Sequence, residues 1–130
     1  ALRPVLKPKK KTPQYIEVAT VIEKNKKVLL NQRPNDGLLG GMWEFPNARV
    51  EQNPDKELTK AIKSATKIQV KKKEALGVVQ HAYTHFKVTV YVYQCDLISI
   101  PKNKNLKWVK ISELDEYPMG KVDRQISNKL

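Results

Sequence analysis

The chain has 130 residues, 40% of them hydrophobic, with 25 Lys+Arg against 13 Asp+Glu and a formal net charge of +12. That length holds a single core, the lone Cys95 excludes a disulfide framework or a multi-cysteine metal site built within the chain, and no run approaches the ~18 apolar residues of a membrane span. A basic excess of this size favours a polyanionic partner, because charge of one sign steers association over a Debye length.

The opening Ala1-Leu2-Arg3-Pro4-Val5-Leu6 has neither the sustained apolar core of a secretory signal nor an initiator Met, and reads as the interior of a longer protein. Residues 1–14 hold three prolines and the run Lys7-Pro8-Lys9-Lys10-Lys11, which self-repulsion keeps extended, as in an interdomain linker. From Tyr15, the positions Ile16, Val18, Thr20 and Ile22 alternate with a second set, the period of a strand. Lys24-Asn25-Lys26 makes a turn, with Asn25 suited to a left-handed backbone, and Val28-Leu29-Leu30 opens a second strand, so the pair reads as a hairpin.

A glycine-bearing loop runs from Pro34 to Gly41, followed by the short apolar, aromatic stretch Met42–Pro46. Trp43 and Phe45 there are assigned to the core. Asn53-Pro54 starts a helix: Asn caps it, Pro suits the first turn, and Asp55 and Glu57 oppose the helix dipole. Leu58, Ala61, Ile62 and Ala65 share one face and are expected to be buried. Strands follow at Leu76–Ala82, Phe86–Tyr93 and Leu106–Lys110; Cys95 is expected as a buried thiol. Ser112 and Asp115 suggest a capped short helix, and the tail from Lys121 reads as helical. The order of elements is that of an α+β domain spanning 15–130.

The segment Gly40-Gly41-Met42-Trp43-Glu44-Phe45-Pro46 ahead of a capped helix resembles the Nudix signature, in which helical glutamates gather divalent metal against a diphosphate. At the positions that should be acidic stand Ala61, Ser64 and Ala65, and Lys67 replaces the glycine that ends the helix. Methyls and a hydroxyl do not hold Mg²⁺, and Lys60, Lys63 and Lys67 repel it, so no metal site is expected. Three ordered blocks narrow the likeness: Val28–Pro46 with its Gln32-Arg33-Pro34 and Trp43-Glu44-Phe45-Pro46; His81-Ala82-Tyr83-Thr84-His85-Phe86; and Trp108-Val109 with Glu113-Leu114 and Tyr117. Across 15–130 these resemble the C-terminal domain of the MutY family of adenine DNA glycosylases.

The resemblance implies a Nudix-like fold, a mixed β-sheet packed between helices, that recognises 8-oxoguanine opposite adenine in double-stranded DNA. It implies that Tyr83, Thr84 and His85 lie against the lesion, Thr84 supplying a hydroxyl that both donates and accepts; His81 is read as structural. Catalysis would belong to a separate N-terminal domain carrying a 4Fe–4S cluster, so this chain, a monomer with no cofactor of its own, would not be an enzyme by itself. A bacterial, cytoplasmic, DNA-associated setting follows from the same likeness. Lys9, Lys10, Lys11, Lys71, Lys72 and Lys107 are candidate phosphate contacts, with Lys73, Lys102, Lys104 and Lys110 near them in sequence around loops and strand ends. Two other functions remain open: a Nudix hydrolase that recruits Glu44, Glu51 or Glu57 for metal, and a protein-docking module.

Overall fold

The computed structural model describes residues 12–35, 40–102 and 105–130; the basic run Lys7–Lys11, with the candidate contacts Lys9, Lys10 and Lys11, and Lys104 lie outside these. The chain order is β1 (Gln14–Lys24), β2 (Lys27–Gln32), β3 (Trp43–Glu44), β4 (Asn47–Val50), α1 (Pro54–Thr66), β5 (Gln69–Ala82), β6 (Lys87–Ser99), β7 (Leu106–Lys110), a 3₁₀ segment (Ile111–Glu116) and α2 (Lys121–Ser127). The first strand therefore starts at Gln14, one residue inside the stretch read as linker.

The central strand is β1. It runs parallel to β6 from the Gln14–Lys87 pair to Ile22–Cys95, and antiparallel to β4 from Ile16–Val50 to Ala19–Asn47. Asn25 and Lys26 both take positive φ, 53° and 62°, the geometry of a two-residue turn whose twist suits a hairpin. The hairpin expected of β1 and β2 forms only at its root, through Glu23–Val28 and Lys24–Lys27. Beyond that β2 diverges to pair with β3 and β7. Buried Thr20 pins the fork: its N–H and its Oγ1 both donate to the Pro46 carbonyl, at 2.9 and 3.1 Å. The pattern alone could not show this divergence, because strand pairing is a non-local choice.

Residues on opposite faces of β1 enter two cores, not the single core expected from length, because a sheet covered on both sides buries each face separately. Ala19 and Val21 join Leu30, Phe45, Val90, Leu114 and Ile126 beneath α2 and the 3₁₀ segment. Val18 and Ile22 join Leu29, Leu58, Ile62, Val70 and Cys95 beneath α1. The mixed sheet thus lies between helices. Phe45 is wholly buried, and Trp43 is half-buried and stacks on Tyr117 with ring centroids 5.7 Å apart.

Several local expectations need correction. Leu58 and Ile62 are buried, but Ala61 is half-exposed and Ala65 exposed, because the helix turns that flank toward an open groove. β5 begins at Gln69 instead of Leu76 and carries bulges near Lys72–Glu74 and Ala75–Gly77, which break the alternation that signals a strand. β6 extends to Ser99. Ser112 lies inside the 3₁₀ segment, which begins after Lys110 without a side-chain cap.

The N-terminus of α1 forms as its sequence dictates: the Asn53 side chain accepts the Lys56 N–H at 3.2 Å, with Pro54 first in the helix. Its C-terminus is held by Lys67 at φ 64°. A Cβ is disfavoured in that left-handed conformation and glycine is not. Lys67→Gly should therefore stabilise the fold by roughly 0.5–1 kcal/mol, a gain that a urea titration would register as a higher midpoint at unchanged slope.

Candidate nucleic-acid interface

β5 and β6 form a long antiparallel hairpin, with Ala82 opposite Lys87 at its end. The Tyr83 N–H donates to the Phe86 carbonyl at 2.7 Å and closes the loop, leaving Thr84 and His85 exposed at the tip. Tyr83 is placed differently. Its ring stacks on Phe86 with centroids 4.6 Å apart, and His81 meets it edge-on at 4.4 Å. Phe86 in turn meets Tyr15 of β1 edge-to-face at 5.6 Å, and the Arg49 guanidinium of β4 lies 3.8 Å above the Tyr15 ring. Each such contact contributes ~0.5–1.5 kcal/mol beyond area burial. The tip is thereby carried on a ladder of rings tied to the central sheet, and His81 serves in it as a packing residue.

Behind Tyr83 and Phe86 lies a cavity of about 270 Å³, also lined by Glu17, Arg33, Asn47 and Asp123. Burial pushes the Tyr83 phenol up, and the charges of Glu17 and Asp123 add to this. Asp123 Oδ1 accepts the Phe45 N–H at 3.0 Å. Burial dominates at Asp123 and moves its carboxyl up to about 7; Glu44 and Glu17 reinforce the shift, while the Phe45 N–H and Arg33 oppose it. Glu17 is raised by burial as well, against the pull of Arg49 and Arg33. Glu44 is fully engaged, with Arg33 Nε at 2.9 Å and the Asn47 amide donating to it at 3.0 Å. Sequence reasoning missed Glu17 and Asp123, since separate acidic residues in a basic chain carry no local signal of convergence.

The helical face of the signature lines a different groove, of about 550 Å³, where Ala61, Ser64 and Ala65 meet Arg49, Lys60 and Glu57. The Glu57 carboxylate accepts the backbone N–H groups of Glu51, Gln52 and Asn53 at 3.2, 3.0 and 2.6 Å, and these bonds hold it below its usual range. It fastens the turn into α1. Among the described residues no group of three or more His, Cys, Asp or Glu is placed to hold a metal ion. A divalent cation does not fit this donor set. Neither does an iron–sulfur cluster: Cys95 is the single cysteine, it is 1% exposed, and burial pushes its thiol up to about 12.

Among the described residues, the proposed phosphate contacts do not gather around the tip. Lys71 and Lys72 lie in β5 at the far end of the sheet, opposite Asp96 and Cys95 of β6. Lys72 is ion-paired with Asp55, and Lys73 with Asp96 at 3.6 Å. Lys107 is exposed on β7 with its ammonium 5.1 Å from the Tyr117 ring centroid. Pairing of the bulged β5 with β6, which sequence spacing does not reveal, moved the lysines of β5 away.

The sign of the Asp123 shift fixes a pH dependence. In the unfolded chain this carboxyl ionises near 4, and in the fold near 7, so its own contribution to folding stability is greatest below 4 and is lost as pH rises through 7. Asp123→Asn keeps an acceptor for the Phe45 N–H without the buried charge. At pH 8 it should be more stable than the parent by on the order of 2 kcal/mol, and the difference should shrink at pH 4; thermal melts at the two pH values measure it.

Comparison with known proteins agrees with this architecture. A model of the NUDIX domain matches residues 17–129. The adenine DNA glycosylase of Rattus norvegicus is 38% identical over 74 residues, covering 54% of this chain and 14% of that protein, so the chain spans only a small part of that relative. The 8-oxo-dGTP diphosphatase of Proteus vulgaris is 30% identical over 78 residues, covering 58% of this chain and 70% of that enzyme. The C-terminal domain of mouse MUTYH, solved in complex with human PCNA, superposes with a TM-score of 0.66 at 24% identity, over 88% of this chain and 86% of that one. The match over residues 17–129, carried on a mixed sheet that lies between helices, makes this chain a member of the NUDIX domain family.

Proposed function

We propose that this chain is the lesion-recognition part of an adenine DNA glycosylase, inspecting 8-oxoguanine opposite adenine, and that it performs no hydrolysis itself. The observation that carries the reading is the exposed Thr84-His85 tip on a braced hairpin. A hydroxyl that both donates and accepts can meet the two groups that distinguish the lesion from guanine, the N7 hydrogen and the 8-oxo oxygen. The ring ladder holds that hydroxyl in place before DNA arrives, which lowers the ordering cost of contact. Tyr83, packed between His81 and Phe86, supports the tip from within. Base chemistry in such an enzyme requires extrusion of the adenine into a second domain; this chain would dock from the lesion side, on double-stranded DNA.

The Proteus relative favours weighing a second reading, hydrolysis of a nucleoside triphosphate. Against it stand Ala61, Ser64 and Ala65 at the metal-binding positions, and the prior engagement of Glu44 and Glu57. Incubation with 8-oxo-dGTP and Mg²⁺ separates the two readings, turnover being incompatible with a purely recognising domain.

Duplexes carrying A:8-oxoG, A:G and A:T, compared in gel shifts at two salt concentrations, test the main reading. The expected result is salt-dependent binding with a preference of roughly tenfold for the lesion, since one hydrogen bond made or left unpaired is worth ~1–3 kcal/mol. Thr84→Val should abolish most of that preference while leaving A:T binding unchanged. Equal affinity of wild type and variant for all three duplexes would remove the base-reading role.

A further inference from the structure

At the other end of β1 the sheet assembles a feature that the proposed inspection site does not use. Lys24 of β1 is the cross-strand partner of Lys27 of β2, and Lys27 is the partner of Lys110 of β7. Cross-strand partners point to the same face, so three ammonium groups stand side by side across three adjacent strands. With strands ~4.8 Å apart, the outer two Cα atoms are about 10 Å from each other. All three residues are exposed, and none has an ion-pair partner among the described residues. Lys72 and Lys73, at the same end of the sheet, are by contrast matched with Asp55 and Asp96.

Like charges directly opposite one another in a sheet destabilise it, and among the described residues no ion pair offsets this. Lys26 adds a fourth exposed lysine in the turn, which is anchored where the Ile111 N–H donates to the Lys26 carbonyl at 3.0 Å. At the foot of the row, half-buried Trp108 borders a depression of about 240 Å³ shared with Lys24, Asn25 and Lys27. The row is therefore a rigid, positive line with an apolar floor. A lone phosphate needs only one or two such groups; a line of three suits a line of anions, which is what a nucleic-acid backbone presents.

We propose that Lys24, Lys27 and Lys110, with Trp108 beside them, form a second contact for the phosphate backbone of duplex DNA, separate from the Thr84 tip. This rests on the DNA-binding reading given above. Gln14 pairs with Lys87 next to the tip, and Lys24 lies ten residues further along β1, so the two sites are about 33 Å apart at 3.3 Å per residue. At ~3.4 Å per base pair, that corresponds to roughly ten base pairs of axis. The row reads no sequence; it adds affinity from backbone away from the lesion.

The triple variant Lys24→Gln, Lys27→Gln, Lys110→Gln tests this against a charge-matched control, Lys56→Gln, Lys60→Gln, Lys63→Gln on the exposed side of α1. Fluorescence anisotropy on 30-base-pair and 10-base-pair duplexes, each with A:8-oxoG or A:T, is read over a salt series. The row variant should bind the long duplex about tenfold more weakly, with its log–log salt slope reduced by roughly two to three. Its lesion-to-A:T ratio should stay as in wild type, its loss on the short duplex should be smaller, and the control should change each value less. A low-salt melting temperature that rises in the row variant shows that the fold is intact and the repulsion relieved.

Row and control variants that weaken binding equally would reduce the effect to bulk charge and overturn the proposal. An unchanged salt slope in the row variant, alongside a Thr84→Val effect on lesion preference, overturns the row and leaves the recognition reading standing. A row effect without any lesion preference does the reverse. Wild type that binds no duplex defeats both, and capture of wild type but not the row variant by phosphatidylserine vesicles, with DNA binding unchanged, reassigns the patch to a membrane surface.

Discussion

The parallel pairing of β1 with β6 is the constraint on which the rest of the molecule depends. It covers β1 from Gln14 to Ile22 and requires a long crossover, because parallel neighbours cannot be joined by a tight turn. That crossover is everything from β2 through β5, including the signature loop and α1. Once β1 is central, its two faces serve separate cores, and its free edge is shared by β4 and the root of β2. Thr20 sits at the split, with both donors spent on one carbonyl. A strand held so firmly on both sides makes a rigid bar, and the surfaces of interest occupy its two ends.

Electrostatics divides this molecule into acidic and basic districts despite its overall positive charge. Glu17 and Asp123 line the cavity behind the hairpin, close enough to Glu44 to feel its charge, and Arg33 and Arg49 offset them. Among the described residues, many lysines lie at the opposite end of β1, on α1 and along β5, while Lys87 stands beside the hairpin tip. On α1 the residues at 61, 64 and 65 are small and neutral, and its one glutamate, Glu57, is committed to three backbone donors. What is presented to solvent at the hairpin is a hydroxyl and an imidazole, groups suited to contacting a base edge.

Local chemistry made much of this legible before any coordinates. The Asn53-Pro54 helix start, the alternation around Ile16–Ile22 and Lys87–Tyr93, the burial of Phe45 and Cys95, and the terminal helix all rest on interactions within a few residues of each other. The exposed tip at Thr84-His85 was legible too, because the strands on either side mark it out. The exposure of Ala65 was not, since helical periodicity assigns a face but does not say which flank of it meets another element.

The sequence by itself determined most of the elements, the small neutral residues at 61, 64 and 65 and the basic surplus, because these are properties of composition and short-range spacing. Only the tertiary structure decided that β1 and β2 part company after two residue pairs, that Asp123 and Glu17 share a cavity with Tyr83, and that Lys24, Lys27 and Lys110 stand in one line. Each of these joins residues far apart in the chain through strand register. Register is set by which apolar faces can be buried together, an energy that belongs to the assembled core and to no segment alone.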